Sequence, residues 1–277
     1  MKFRERSILP GFHVAFAYTV IYLLLIVLVP LAGLFAKSIS LGWITFWANV
    51  TQPQTLASLR LTFVTSLIAS LLTALFGTVI AWVLVRYDFW GKRFVDTLID
   101  LPFALPTAVA GIALSTIFAE NGLVGKWLVL VGIKIAFTPS GIVVALIFIG
   151  LPFVVRSIQP ILEDFDNEVE EAAVSLGATR IQTIIQVILP SITPAIFSGT
   201  IMAFSRSLGE YGSVVFIAGN IPFVSEVAPL TIMTKLESHN LAGATAIATV
   251  MLVASFVLLL FVNFIHRFSD ASKASHS

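Results

Sequence analysis

Six apolar runs of more than twenty residues recur along this chain, at about 12–36, 61–85, 98–119, 139–161, 192–218 and 242–265. A hydrocarbon core about 30 Å thick takes roughly 20 residues of α-helix to cross. Inside lipid every backbone N–H and C=O must be satisfied within the segment, which leaves helices for runs of this kind. With 58% hydrophobic and only 11% charged residues, the chain carries less than half the charge of an ordinary soluble domain, about 25%. The apolar excess is too large for one soluble core. The expected fold is all-α: a polytopic membrane protein of six transmembrane helices, in one domain. There is no cysteine, so disulfides, thiolate metal sites and cysteine nucleophiles are excluded. His13, His239, His266 and His276 are scattered, and no metal site is expected from them.

Several runs carry irregularities. Lys2, Arg4 and Arg6 precede Pro10-Gly11 and the first run. That order suits a secretory signal, but the run is long for one and no Ala-x-Ala site ends it, so it reads as a first span. Trp43 and Trp47 in the following loop suit a membrane interface. Gly77 within the second span reads as a packing notch. Asp100-Leu101-Pro102-Phe103-Ala104-Leu105-Pro106-Thr107 opens the third span with two prolines four apart. Each removes a helical hydrogen bond, so a kink or an unwound stretch is expected. Such a stretch serves either packing or the lining of a pathway. Gly150-Leu151-Pro152 is expected to interrupt the fourth span.

The most polar interruption lies at 163–190. Asn167 followed by Glu170 reads as a helix cap with a carboxylate three residues on. Val169, Ala172, Ala173 and Leu176 then follow at helical spacing, and Gly177 supplies a left-handed stop. Thr179 with Gln182 repeats the capping box. Ile181, Ile184, Ile185 and Ile188 form an apolar stripe expected to anchor a second helix to the bundle, closed by Pro190 and Pro194. From the residues alone this is an interfacial linker or a docking surface for a soluble partner. Grouping the termini with 86–98 and 156–190 places Lys2, Arg4, Arg6, Arg86, Lys92, Arg93, Arg156, Arg180, Arg267 and Lys273 on one side. Lys37, Arg60, Lys126, Lys134 and Lys235 fall on the other. The richer side is expected to be cytoplasmic, with both termini.

Span five carries Ser205-Arg206-Ser207-Leu208-Gly209-Glu210-Tyr211-Gly212. Arg206 lies 12 residues past Pro194, about 18 Å along a helix and so near mid-bilayer. There an arginine costs at least about 2.5 kcal/mol and needs a partner, for which Glu210, four residues on, is placed. The pair either fixes packing or lines and gates the route of an anion. Ser205 and Ser207 could share in that lining, as could the irregular backbone at Pro102 and Pro106.

Glu171-Ala172-Ala173, Gly177 and Leu189-Pro190, flanked by Glu170 and Leu176, resemble the EAA loop of bacterial ABC-importer permeases, with Val187 where isoleucine is usual. SRSLGEYGSVVFIAGN at 205–220, DLPFALPTAVAG at 100–111 and LPFVVRSIQPILE at 151–163 resemble the sulfate/thiosulfate permeases of the sulfate/tungstate/molybdate permease family, of the CysT type. The resemblance covers about 56–265. It implies the type I (MetI-like) importer fold, with a transmembrane domain at 56–265 holding a coupling loop at 163–190; residues 1–55 with the first span precede it, and a tail at 266–277, short and polar from Arg267 on, is expected to be mobile. It also implies a multi-pass protein of the bacterial inner membrane that imports sulfate or thiosulfate. The implied partners are a sister permease of the CysW type, two CysA-type ATPases that use ATP and Mg, and a periplasmic binding protein. Glu170, Glu171, Ala172, Ala173, Leu176 and Gly177, with Leu189 and Pro190, would seat in the ATPase.

No G-x-x-x-x-G-K-[ST] occurs, and Gly91-Lys92 and Gly125-Lys126 lack the rest of the pattern. With no HExxH, nucleophile elbow or Ser-His-Asp set either, no catalytic residue and no cofactor is expected in this chain. A related oxyanion, molybdate or tungstate, and an ion-coupled secondary transporter remain the alternatives.

Overall fold

The structure is a computed structural model describing residues 12–274; the expected N-terminal basic residues lie outside these. Five helices are long and apolar enough to cross a membrane: Val14–Ser40, Pro53–Arg86, Pro139–Glu163, Arg180–Leu208 and Leu241–Leu258. They are the first, second, fourth, fifth and sixth spans. Among the described residues no strand occurs.

The third span departs from the rest. A charged helix, Lys92–Ile99, precedes it, and the span itself is broken into Leu101–Ala104 and Thr107–Phe118. The longest has 12 residues, about 18 Å, too short to cross alone. Leu105 and Pro106 are extended, with ψ of 137° and 131°. The residue before Pro106 is pushed out of the helical region by the proline ring, so the break falls where the sequence places it.

Elsewhere prolines do not break helices. Pro152 and Pro160 sit inside the fourth span, and Pro194 inside the fifth. The expected interruption at 150–152 is therefore corrected: the helix is continuous. Neighbouring helices hold such a proline-bearing helix in place in a bundle. Here Val154, fully buried, is gripped from two sides. A Cβ on Gly77 would lie 2.8 Å from its Cγ1, and one on Gly199 would lie 2.8 Å from its Cα. The two glycines let the second and fifth spans close onto the fourth, as expected of small residues in a membrane bundle.

The second span presents one face of hydroxyls: Thr55, Ser58, Thr62, Thr65, Ser66, Ser70 and Thr73 are all buried. Most return a bond to a carbonyl three or four residues earlier, as Thr62 does to Ser58 at 2.7 Å and Thr73 to Ala69 at 2.7 Å. Such hydroxyls are small enough for close helix contact, and only Thr55 Oγ1 and Ser66 Oγ on this face lack a partner.

Three loops hold helices the sequence reading left out, Trp43–Val50, Gly125–Leu130 and Ala228–Glu237. The last helix runs on to Ala274, through most of the expected tail. The first span reaches Ser40, beyond the expected end at 36.

Candidate functional site

Two places gather the residues singled out from sequence. At one end of the bundle stands a short handle, the helix Asn167–Ser175. Its cap is Asp166, one residue earlier than expected; Asp166 Oδ1 accepts the Glu168 N–H at 2.9 Å. Glu168 and Glu170 fill the first turn, where the macrodipole favours carboxylates. Gly177 has φ +88°. Its N–H donates to Val174 O at 2.9 Å, and that of Ala178 donates to Ala173 O at 3.1 Å. This is a Schellman stop, which needs a left-handed residue at that position. The Thr179–Gln182 capping box is present.

The stretch after it corrects the expectation twice. Pro190 and Pro194 do not close a separate helix, because Arg180–Leu208 runs without a break. Within it, Ile184–Ile188 form a π-turn, with the Leu189 N–H reaching Ile184 O. Pro190 has no N–H to give, and the widened turn precedes it directly. Nor does the isoleucine stripe anchor the helix. Ile181, Ile184 and Ile185 are exposed, and only Ile188 is buried, with Thr183 beside it.

What holds the handle is an ion pair. Glu170 bonds the Arg86 guanidinium at the last residue of the second span. That guanidinium lies over the rings of Trp82, at 5.4 Å, and Phe165, at 5.9 Å. Partial burial against two aromatic faces strengthens such a contact. Between this post and the handle runs a groove of about 680 Å³. Glu171 and Ala172 are exposed and Ala173 half-buried, while Val169, Val174 and Leu176 stand in the open, Leu176 at 90%. Leu189 and Pro190 are exposed farther along the fifth span. The handle and the 86–98 segment share one end of the bundle, as the charge count requires.

The second place is the end of the fifth span. That helix stops at Leu208 rather than at 218, and a short helix, Val214–Ala218, follows a turn. Arg206 sits in the last turn, and Glu210 just beyond it. Nη1 of Arg206 lies 2.7 Å from Glu210 Oε2, with the Arg206 side chain 37% and the Glu210 side chain 2% exposed. Glu210 Oε1 also accepts the Ser213 N–H at 2.9 Å and its hydroxyl at 3.1 Å. The pair therefore forms as expected. Arg206 lies about 39 Å from the start of the helix at Arg180, at the end opposite the handle. Leu208 packs with Leu59, six residues into the second span, in the half of the bundle away from the handle.

Ser207 is buried and Ser205 half-buried. Ser207 and Glu210 face a narrow gap shared with Thr62 and Ser66 of the hydroxyl face. Backbone packs tightly here: a Cβ on Gly212 would lie 2.1 Å from Thr107 Oγ1, and one on Gly111 would lie 2.4 Å from Ser213 O. The break at Pro106 thus meets the turn at 209–213. Pro102 is not part of this place; it belongs with the other end, next to Asp100.

Residues 73–274 match the family described as "Binding-protein-dependent transport system inner membrane component". The chain belongs to this family. Among similar curated proteins is the "Sulfate transport system permease protein CysT" of Escherichia coli (strain K12), 44% identical over 259 residues, 94% of each chain. The protein of the same description from Synechocystis sp. is 47% identical over 249 residues, 90% of this chain and 87% of that one. A bacterial ABC transporter involved in import of the acidic polysaccharide alginate superposes with a TM-score of 0.75 at 19% identity, over 92% of this chain and 94% of its own. The MetNI methionine ABC transporter gives 0.56 at 15% identity, over 78% and 98%. These two likenesses speak for the fold, which is that of MetI-like permeases.

In this inner membrane component the sequence reading missed three features. The hydroxyl face of the second span was visible as Ser and Thr recurring every three or four residues. Arg86 and Arg156 were legible only as loop charges; nothing in their spacing names Glu170 or Asp100 as partners.

Proposed function

We propose that this chain is the membrane-spanning permease subunit of an ABC importer for sulfate and thiosulfate, with no catalytic residue of its own. The observation that carries the coupling half is the handle: a rigidly capped helix tied to the second span by one ion pair, with Leu176, Val174 and Val169 uncovered. A helix outside the apolar bundle that exposes aliphatic side chains calls for a partner surface. The relatives' description as sulfate transport permeases supports the substrate. On this reading an ATPase of the CysA type covers the handle and holds the ATP and Mg. A CysW-type permease completes the membrane pair, and a periplasmic binding protein delivers the anion. Handle and termini face the cytoplasm of a bacterial cell, in keeping with the basic residues on that side. ATPase closure moves the handle as a body, and the spans tilt with it.

Residues 170–173, 176 and 177 form the seat on this reading. Arg206, Ser205 and Ser207 lie beside the anion's route, with Glu210 balancing the arginine and Pro106 giving the route its unwound backbone. A cysteine at Glu171 in this cysteine-free chain should cross-link to the ATPase subunit in membranes; failure to capture it in any nucleotide state would refute the docking. Removing Arg206 alone strands a buried carboxylate, a loss of about 3–5 kcal/mol. The double variant Arg206→Met/Glu210→Gln avoids that. It should assemble yet take up labelled sulfate at least tenfold more slowly, and undiminished uptake would reduce the pair to packing.

A further inference from the structure

Near the handle end, Arg156 of the fourth span is bound through all five of its N–H donors. Nε donates to Asp100 Oδ1 at 2.9 Å and Nη2 to Asp100 Oδ2 at 2.6 Å, a bidentate fork. Nη2 also donates to the Asp96 carbonyl at 2.9 Å, while Nη1 reaches Asp96 Oδ1 at 2.7 Å and Gln159 Oε1 at 2.6 Å. Gln159 in turn donates to Asp96 Oδ1 at 3.2 Å. One turn away Phe103 meets Phe153 edge to face at 5.2 Å. Only arginine offers a planar fork that can saturate this set.

The place of the clamp matters more than its strength. On one side Arg156 stands seven residues before Glu163, where the fourth span ends, and three residues later Asp166 caps the handle. On the other side Asp96 and Asp100 sit at the base of the broken third span, just before the extended residues Leu105 and Pro106. Above that joint, Thr107 and Gly111 press on the turn that holds Glu210. Burial pushes the Asp96 carboxyl up, but bonds from Arg156 and Gln159 outweigh it and hold the group below its ordinary value, so the clamp stays ionic at neutral pH.

We infer that Arg156 is a positioning residue for transport, carrying the handle's motion across to the third span so that the two move as one lever. This rests on the ATPase-coupled reading above. The fourth span supplies the rod, the clamp the weld, and the Pro106 break the joint beyond it.

The test uses the reconstituted transporter in proteoliposomes, reading sulfate moved per ATP hydrolysed. Arg156→Gln should keep hydrolysis within about twofold of wild type while the ratio falls at least tenfold. Arg156→Lys, a point charge without the fork, should fall between. Asp100→Asn leaves the arginine its Asp96 partner, so it tests the clamp even if Arg156→Gln fails to assemble, and it should lower the ratio several-fold. Spin labels on introduced cysteines separate the steps. The pair at Val169 and Val253 reports the handle, and the pair at Val109 and Val253 the third span. In Arg156→Gln the nucleotide-driven change should persist in the first pair and vanish in the second. An unchanged transport ratio in Asp100→Asn, or both distance changes surviving in Arg156→Gln, overturns the inference. Wild-type uptake indifferent to ATP would remove the coupling reading itself and the clamp's role with it.

Discussion

Gly177 allows a perturbation whose cost can be worked out from the backbone alone. Its φ of +88° is left-handed, and a Cβ built there meets nothing within 4 Å. Gly177→Ala therefore adds no clash, only the strain of an L-residue in that region, roughly 1–2 kcal/mol. That strain lowers the ratio of closed to open Schellman turn by a factor of about 5–30. Opening it frees the bonds from Gly177 to Val174 and from Ala178 to Ala173, so the handle no longer keeps a fixed angle to the fifth span. The assay is labelled sulfate uptake into proteoliposomes holding the assembled transporter, with phosphate release measured in parallel and permease content matched. Sulfate moved per ATP should fall in Gly177→Ala, by up to about 30-fold. Asparagine tolerates the left-handed region better, so Gly177→Asn should lose only a few-fold. Gly177→Arg adds bulk at the seat to the same strain and should be worst, with membrane insertion intact. Equal damage from Ala and Asn, or none from Ala, would refute the conformational argument.

Two further outcomes follow from the packing and the clamp. Gly77→Ala forces its Cβ onto Val154 and should cost about 1–3 kcal/mol; adding Val154→Ala should return part of it, read as a thermal midpoint in detergent, whereas additive losses would mean the two residues do not touch. Because the folded Asp96 value lies below its ordinary one, its stabilising effect is complete above about pH 4 and lost only as pH falls through the lowered value. The transport ratio should thus be flat between about pH 5 and 8 as far as Asp96 is concerned, and a change within that window abolished by Asp96→Asn would contradict this sign.

Much of the handle was legible beforehand because its signals are local. A glycine at a helix stop, Thr179 with Gln182 and a carboxylate-rich first turn each act within four residues. The errors came where local rules meet a neighbour. Pro152, Pro190 and Pro194 were read as breaks, yet packed helices and one π-turn absorb them. Pro106 does break its span, because there the chain turns extended at Leu105 and Pro106. The isoleucine stripe at 181–188 had the right period and the wrong inference, since periodicity names a face and not what lies against it. Arg206 was paired correctly with Glu210, four residues away, but its helix was expected to run to 218 and stops at Leu208, because the turn at 209–213 packs against Thr107 and Gly111.

The residue order by itself determined that this chain is helical and membrane-borne, since long apolar runs admit no other backbone in lipid, and it marked the handle through contacts between near neighbours. Tertiary structure alone decided which distant charges meet. Arg86 on Glu170 and Arg156 on Asp96 and Asp100 join residues 56 to 84 positions apart. Such pairings are set by how helices lie against one another, as where Gly77 and Gly199 let the second and fifth spans close on Val154, and no local spacing in the sequence encodes that.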